Sequence, residues 1–597
     1  MTKRTVYSLL EEAVAAYGDR GALHQPVSGK EGRGYRTYTW PEYREIVREI
    51  TCGLRALGIG NGDIVGIGSE TRAEFYLLDV GVMSNGSTAA ALYTNSQPAE
   101  QVSALRRCGA KMIFVEDPKM YKTLRDAGGA DLDARWALMT GMVDGVLTLE
   151  EVRARGRAAM EDDPDYFERI RLSVMPEDRA ILYLTSGATG APKFVEVAHA
   201  SLVANVDIGK KVIDLGPHDR VLAFLPSAHI AQRLGIELLP LAMGIPVYFS
   251  ESLARMPHEF KTVKPTFFLA PPRVWERIYV SVRTEVQKKG GAAKKLFYTA
   301  IGMSADAVRL RQAGKPVPLW MKAPLALFDK IIFAKIRERL GGELTFAVSG
   351  AAPLAKELAL FYEAIGMPLH EGFGLTEAGV LTLNLRGKRK LGSIGTALPG
   401  VELRLADDGE LLVGGPTLAM GYFNDPKATA ETFRDGWLYT GDIAEIADDG
   451  YVSITGRKKE IIVSSNGKKV YPARVEELFK TEPILSHMVL AGEKQPFISA
   501  LFTLNPPAVE MLDGMKGKTL EEMAAAPVVQ ALVKKAVRQA NTQLAVYEQV
   551  KKFRILAAEF TIDGGELTPT MKVRKAKVLE KYASTVAEMY AATDDLL

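Results

Sequence analysis

Residues 185 to 193 read Thr-Ser-Gly-Ala-Thr-Gly-Ala-Pro-Lys, a set of side chains suited to holding phosphate. Gly187 and Gly190 let successive backbone N–H groups turn toward an anion, Ser186 and Thr189 bring hydroxyl donors, and Lys193 brings a point charge. The apolar run Ala180-Ile181-Leu182-Tyr183-Leu184 precedes the loop and the alternating Phe194-Val195-Glu196-Val197 follows it, which predicts a loop joining two strands. A Walker A loop would instead open a helix and end in Ser or Thr. An ordinary Gly/Thr turn uses the same residue types, so the loop alone leaves phosphate binding open.

Other chemistries find little footing. The seven histidines, at 24, 199, 218, 229, 258, 370 and 487, never pair at metal-ligand spacing, and neither HExxH nor CxxC occurs. No GxSxG elbow is present, which argues against a serine hydrolase of that kind. A nucleotide with Mg²⁺ is the economical reading.

The elements that must position these residues follow a βαβ rhythm. Thr39-Trp40-Pro41-Glu42 is a capping-box pattern opening an amphipathic helix, and the strand-like Ile64-Val65-Gly66-Ile67 comes after it. Met112 to Val115 and Val221 to Leu225 continue the alternation, so helix-covered parallel sheets are expected. Near residue 392 the character changes to short strands around the Asp-Gly turns 408–409 and 449–450, predicting a small antiparallel subdomain over about 392–456. Beyond Gly456-Arg457-Lys458-Lys459-Glu460 the pattern is strand, Asn466-Gly467 turn, strand, and a helix opened by Pro472. The expected fold is α/β: an N-terminal domain over 1–456 of mostly parallel sheets, then a smaller α+β domain over 457–597.

Composition agrees with a globular, multidomain chain of 597 residues that is 47% hydrophobic and 25% charged. A net charge of +3 is too balanced for nucleic acid to be the main partner. Two cysteines, Cys52 and Cys108, fit a reducing cytoplasm, and no secretory signal or spanning apolar stretch is read. Residues 285–340 form a basic helical insert in which Leu327, Phe328, Ile331, Ile332 and Ile336 fall at helical spacing beside Lys330, Lys335, Arg337 and Arg339. Such a stripe either packs on its own domain, the commoner case, or lies on an anionic membrane face.

Several motifs in order resemble the adenylate-forming enzymes, the superfamily of acyl-CoA synthetases, luciferases and peptide-synthetase adenylation domains. They are the loop 185–193, Phe373-Gly374-Leu375-Thr376-Glu377, Tyr439-Thr440-Gly441-Asp442 and the hinge-like 456–460. Phe267 to Tyr279, Leu225-Pro226-Ser227-Ala228-His229, Phe328-Asp329-Lys330 and Leu567 to Lys572 look most like long-chain fatty acyl-CoA synthetases.

The resemblance implies attack of a carboxylate on the α-phosphate of MgATP, then displacement of AMP by the CoA thiol. It implies that Thr185, Ser186, Gly187, Thr189, Gly190 and Lys193 hold phosphates, Glu377 holds Mg²⁺, and Thr376 meets the α-phosphate. Gly350, Ala351, Phe373 and Gly374 would border adenine, and Asp442 with Arg457 would take the ribose hydroxyls. Lys572 is the implied adenylation lysine, although it sits among Arg574, Lys575 and Lys577, which by composition form a basic tail. Lys459 would be the hinge about which the C-terminal domain turns to present Gly467 for thioester formation. His229 matches a residue gating the acyl pocket, with Ala231 to Leu239 and Val380 to Leu383 as candidate walls.

Ala188 stands where the superfamily usually has Ser or Thr, and Phe194 where a glycine usually follows the lysine. A weakened acyl- or nucleotide-binding homologue, a synthetase loading an acyl-carrier protein, and a ligase for aryl or bulky acids are the rival readings.

Overall fold

The computed structural model of the chain describes residues 4–29, 32–185 and 193–591. Ser186, Gly187, Ala188, Thr189 and Gly190 of the glycine-rich loop lie outside the described residues.

Two large sheets organise the first three quarters of the chain. One has nine strands, in the spatial order 396–397, 379–383, 369–375, 346–349, 267–270, 221–223, 247–249, 21–29 and 32–39. The other has eight, in the order 421–422, 194–198, 179–184, 88–91, 64–68, 112–115, 135–138 and 147–148. Their central strands pair in parallel, and antiparallel pairs are confined to the ends. Strand Ile64–Gly68 is buried along its whole length, as a parallel strand covered on both faces must be.

The covering helices obey their sequence signals. Trp40–Ala56 starts at Thr39, whose hydroxyl accepts from Glu42 N at 3.3 Å while Glu42 Oε2 accepts from Thr39 N at 2.8 Å. Helix Ala73–Ser84 is buried on nearly every side, and Asp79 lies in its middle. One apolar core joins residues of both sheets, among them Val65, Ile181, Val221 and Phe346.

Strands 402–405, 410–414, 433–434, 437–446 and 452–457 form an all-antiparallel third sheet. Gly409 and Gly450 adopt φ of +83° and +80° at its turns, a left-handed conformation that glycine adopts without a Cβ clash. A 3-10 turn at Lys458–Glu460 leads to a hairpin, 462–463 with 469–470, and to helix Pro472–Glu477. Strands 485–491, 498–504 and 550–556 complete a C-terminal unit with apolar clusters of its own.

The basic insert is helical over Pro272–Lys289, Gly291–Gln312 and Leu319–Phe328, then makes a π-turn at Asp329–Phe333 before Ala334–Glu338. The five apolar residues read as one stripe divide between two faces. Phe328 is buried and Ile332 and Ile336 pack on the core beside Phe268 and Trp275, whereas Leu327 and Ile331 are exposed. The wider π-turn alters the angular step, which an assumption of uniform 3.6-residue spacing misses.

Candidate nucleotide and acyl site

Antiparallel strands Leu369–Leu375 and Gly379–Leu383 carry Thr376 and Glu377 at their connecting turn. Gly374 is required there, since a Cβ on it would lie 2.3 Å from Gly379 O. Phe373, half-buried, pairs with Thr382. Tyr422 donates to Glu377 Oε1 at 2.8 Å, and its hydroxyl is pushed above its ordinary range by burial and by that carboxylate.

Thr185 and Lys193 close the base of the loop between two antiparallel strands: Thr185 N donates to Lys193 O at 2.8 Å and Lys193 N to Thr185 Oγ1 at 3.3 Å. Lys193 Nζ then stands 4.8 Å from the Tyr422 ring centroid and 3.6 Å from Asp425 Oδ2. Tyr422 therefore touches both the loop lysine and Glu377. Sequence reasoning missed it, because Gly421-Tyr422 before Asp425-Pro426 carries only a helix-start signal. Phe194 is buried among Leu182, Ile113 and Leu105, with Arg107 over its ring at 5.5 Å.

Gly350 and Ala351 follow strand Phe346–Ser349. Ala351 has φ of +67°, and a Cβ on Gly350 would sit 3.5 Å from Gly372 O, so this segment runs close beside the strand bearing Phe373. Glu371, buried in that strand, accepts from Leu354 N at 3.1 Å, and burial pushes its carboxyl up to about 8. Its supporting place beside the segment that follows Gly350 and Ala351 carried no sequence signal.

Asp442 and Arg457 face each other across strands 437–446 and 452–457, with Arg457 Nε donating to Asp442 Oδ1 at 2.9 Å. Asp442 Oδ2 is buried without a partner among the described residues, and desolvation raises the carboxyl against the pull of Arg457. An unmet buried carboxylate oxygen beside a guanidinium fits a ligand bearing hydroxyl donors.

Lys572 arrives from the C-terminal unit on a tight turn. Thr568 Oγ1 accepts from Lys572 N at 3.0 Å, Thr568 N donates to Lys572 O at 2.8 Å, and Met571 between them has φ of +63°. The neighbouring lysines are engaged elsewhere: Lys575 pairs with Glu460 at 2.7 Å and Glu476 at 2.9 Å, and Lys577 with Glu580 at 3.0 Å. Lys572 instead feels Asp442, Glu377, Glu460 and Arg457. Its side chain is exposed at the junction of the two units, where desolvation, helped by repulsion from Arg457, brings its ammonium down to about 8.

His229 lies near enough to Lys572 to feel its charge, and burial first, that charge second, lowers its imidazolium to about 4. Its Nδ1 accepts from Ala231 N at 3.1 Å, which assigns the proton of the neutral ring to Nε2. The adjoining Ile230–Gln232 turn packs on strand Gly379–Leu383, so the two candidate acyl walls are neighbours. Contacts and electrostatic proximity thus connect Glu377, Asp442, Arg457, Lys572 and His229, with Thr376 beside Glu377 in its turn and Lys193 joined to Glu377 through Tyr422. Lys459 is an exposed residue of the 458–460 turn, while Lys458 ties that turn to Glu410 at 2.9 Å. Gly467, at φ of +75°, is an exposed hairpin turn.

Among the described residues no cluster of three or more His, Cys, Asp or Glu could hold a metal. A Mg²⁺ carried by a polyphosphate needs only one or two protein carboxylates. Glu377, with one oxygen on Tyr422 and the other without a hydrogen bond among the described residues, fits that demand.

Residues 10–423 match the AMP-binding enzyme family and residues 459–594 the AMP-binding enzyme C-terminal domain. The chain belongs to the AMP-binding enzyme family. It is 35% identical over 561 residues to the long-chain-fatty-acid–CoA ligase FadD15 of Mycobacterium bovis, covering 92% of each chain. It is 28% identical to the long-chain-fatty-acid–CoA ligase ACSBG2 of Rattus norvegicus, covering 99% of this chain and 93% of that one. Among solved structures, the adenylation domain of a carboxylate reductase from Mycobacterium chelonae superposes with a TM-score of 0.76 at 21% identity, covering 99% and 92% of the two chains. These likenesses establish the α/β architecture expected of an AMP-binding enzyme.

Proposed function

We propose that the protein is a long-chain fatty acid–CoA ligase that forms an acyl-adenylate from MgATP, releasing pyrophosphate, and then an acyl-CoA, releasing AMP. The observation that carries this reading is the approach of Lys572, alone among the lysines near it, to Asp442, Glu377 and His229. In the first half-reaction a carboxylate oxygen bonds to the α-phosphorus as the bond to pyrophosphate breaks. Lys572 meets both the carboxylate and the phosphoryl oxygens, Thr376 the α-phosphate, and Lys193 with Thr185 and the loop the β- and γ-phosphates. Neutral His229 donates from Nε2 to the acid's carboxylate. Asp442 Oδ2 accepts from the ribose hydroxyls while Arg457 donates to them, and Phe373, Gly350, Ala351 and Gly374 border the adenine. Glu377 would hold Mg²⁺, which would supply charge neutralisation at the phosphates.

The second half-reaction calls for a turn of the unit beginning near residues 457–460, with Lys459 at the hinge, to withdraw Lys572 and bring the open Gly467 hairpin to the site. The sulfur of CoA then bonds to the acyl carbon and AMP departs. The names of the two ligase relatives support fatty acid as the substrate class.

Incubation with MgATP, CoA and acids of graded chain length tests this. AMP, pyrophosphate and acyl-CoA in equal amounts, maximal with long chains, is the expected result. ADP as product, or turnover only with aryl acids or with a phosphopantetheinylated carrier protein, would overturn it. The reading also includes contact with a membrane surface, where long-chain acids partition.

A further inference from the structure

We propose that the helix Leu319–Phe328 and the π-turn after it dock on an anionic phospholipid surface. The docking purpose rests on the fatty-acid reading, but the binding itself can be measured without substrate. Leu319 is 80% exposed, Trp320 68%, Leu327 56% and Ile331 38%, while Met321, Phe328 and Phe333 of the same segment are buried. Trp320 and Leu327, seven positions apart, share the outward face of the helix, and Ile331 is exposed in the π-turn that follows. A surface helix ordinarily turns polar residues to that side.

Charge selects the occupant. Residues 285–340 contain twelve Lys and Arg against four Asp and Glu, a local +8 in a chain of net +3, which leaves the remainder at −5. Arginines neutralise three of the four acids: Arg339 with Glu285 at 2.5 Å, Arg309 with Asp306 at 2.9 Å and Arg337 with Asp329 at 2.6 Å. Lys322, Lys330 and Lys335 are exposed and, among the described residues, have no ion-pair partner. A second copy of this face would bring like charge against like charge, and a nucleic acid would leave Leu319 and Leu327 unused.

A bilayer uses both components. Trp is favoured at the headgroup level, aliphatic side chains below it, and lysine stems reach up to lipid phosphates. No helix among the described residues is long and apolar enough to cross a membrane, so the contact is interfacial.

Co-sedimentation of the full chain with vesicles, in the absence of ATP and acid, tests the assignment. Binding is expected to phosphatidylcholine vesicles containing phosphatidylglycerol, not to phosphatidylcholine alone, and to weaken with salt. Each lysine near the surface is worth about fivefold in partitioning, so K322Q/K330Q/K335Q is expected to lower it about a hundredfold. Leu319→Ser with Trp320→Ser should lower it at least about tenfold, while AMP formation with octanoate in solution stays unchanged. Binding indifferent to phosphatidylglycerol or to both variants would overturn the proposal. So would a dimer that the same serine substitutions dissolve. Loss of acyl-CoA synthesis with intact vesicle binding would instead fault the fatty-acid reading alone.

Discussion

Asp79, Arg233 and Glu237 form a charged group sealed in the N-terminal core, whereas Asp442, Arg457 and Lys572 meet where the C-terminal unit faces the N-terminal one. In the first group all three side chains are at most 1% exposed, Arg233 bonds to Asp79, and its guanidinium lies 5.4 Å from the Phe75 and Tyr183 ring centroids. Burial, then the neighbouring Asp79, raises Glu237 well above the carboxylate range and holds it neutral. Protonated Glu237 has Asp79 as its side-chain hydrogen-bond partner, and two nitrogens of Arg233 lack partners among the described residues. The second group takes two residues from one antiparallel pair and one from a turn over a hundred residues further on. A sealed charge group fixes structure, because nothing can leave it. One shared between units can be taken apart and reassembled during turnover.

The largest effect separating the two is expected from Arg233→Met. It strands Asp79 in the core and should cost about 3–5 kcal/mol in unfolding. Asp79→Asn added to it should restore part of that loss, a coupling that only neighbouring groups show. Denaturant midpoints measure both, and a single variant as stable as the parent would erase the distinction.

Lys572→Ala should do the reverse. Adenylation, followed by pyrophosphate exchange, should fall about 10²–10³-fold, thioester formation from preformed acyl-adenylate should change little, and stability should hold within about 0.5 kcal/mol. A parallel fall of both half-reactions would remove Lys572 from the adenylation step.

Titration sharpens the contrast. With its ammonium at about 8, Lys572 is protonated below that pH, so kcat/KM for adenylation should be level there and drop about tenfold per pH unit above it. Lys572→Arg, which keeps its charge, should abolish the drop. Glu371 offers the matching structural test. The folded state keeps its proton up to about 8 while an unfolded glutamate loses it near its ordinary 4.5, so its contribution to stability is whole below 4.5 and is lost as pH rises to 8. Glu371→Gln should therefore flatten the stability profile across that window, and an unchanged slope would exclude Glu371 as its source.

What the sequence made legible follows from how local each signal is. Capping at Thr39, the Asp-Gly turns and the Asn466-Gly467 hairpin depend on a few neighbouring residues and appear where they were expected. Lys572 could be chosen among four basic residues only through resemblance, because its selection rests on Glu460, Glu476 and Glu580 occupying the neighbouring lysines. The pairing of Asp79 with Arg233, 154 positions apart, has no local trace at all. Tyr422 was illegible for the same reason, being 45 positions from Glu377.

The smallest expected effect concerns how the shared charge group is held together. Asn95 Nδ2 donates to Pro569 O at 2.7 Å, three residues before Lys572, and Gln97 Nε2 to Asp563 Oδ1 at 2.6 Å. These bonds join the segment after strand Thr88–Ala91 to the turn that aims the lysine. A hydrogen bond of this kind contributes about 1 kcal/mol net, so Asn95→Ala should slow adenylation by about fivefold and leave thioester formation equal or slightly faster, since the docked arrangement must be left for that step. Gln97→Ala, at a more exposed pair, should follow in the same direction with a smaller change. Equal slowing of both half-reactions would mean that the Asn95 contact supports the fold generally. The Lys572 group would then differ from the Asp79 group in its exposure and not in its capacity to come apart.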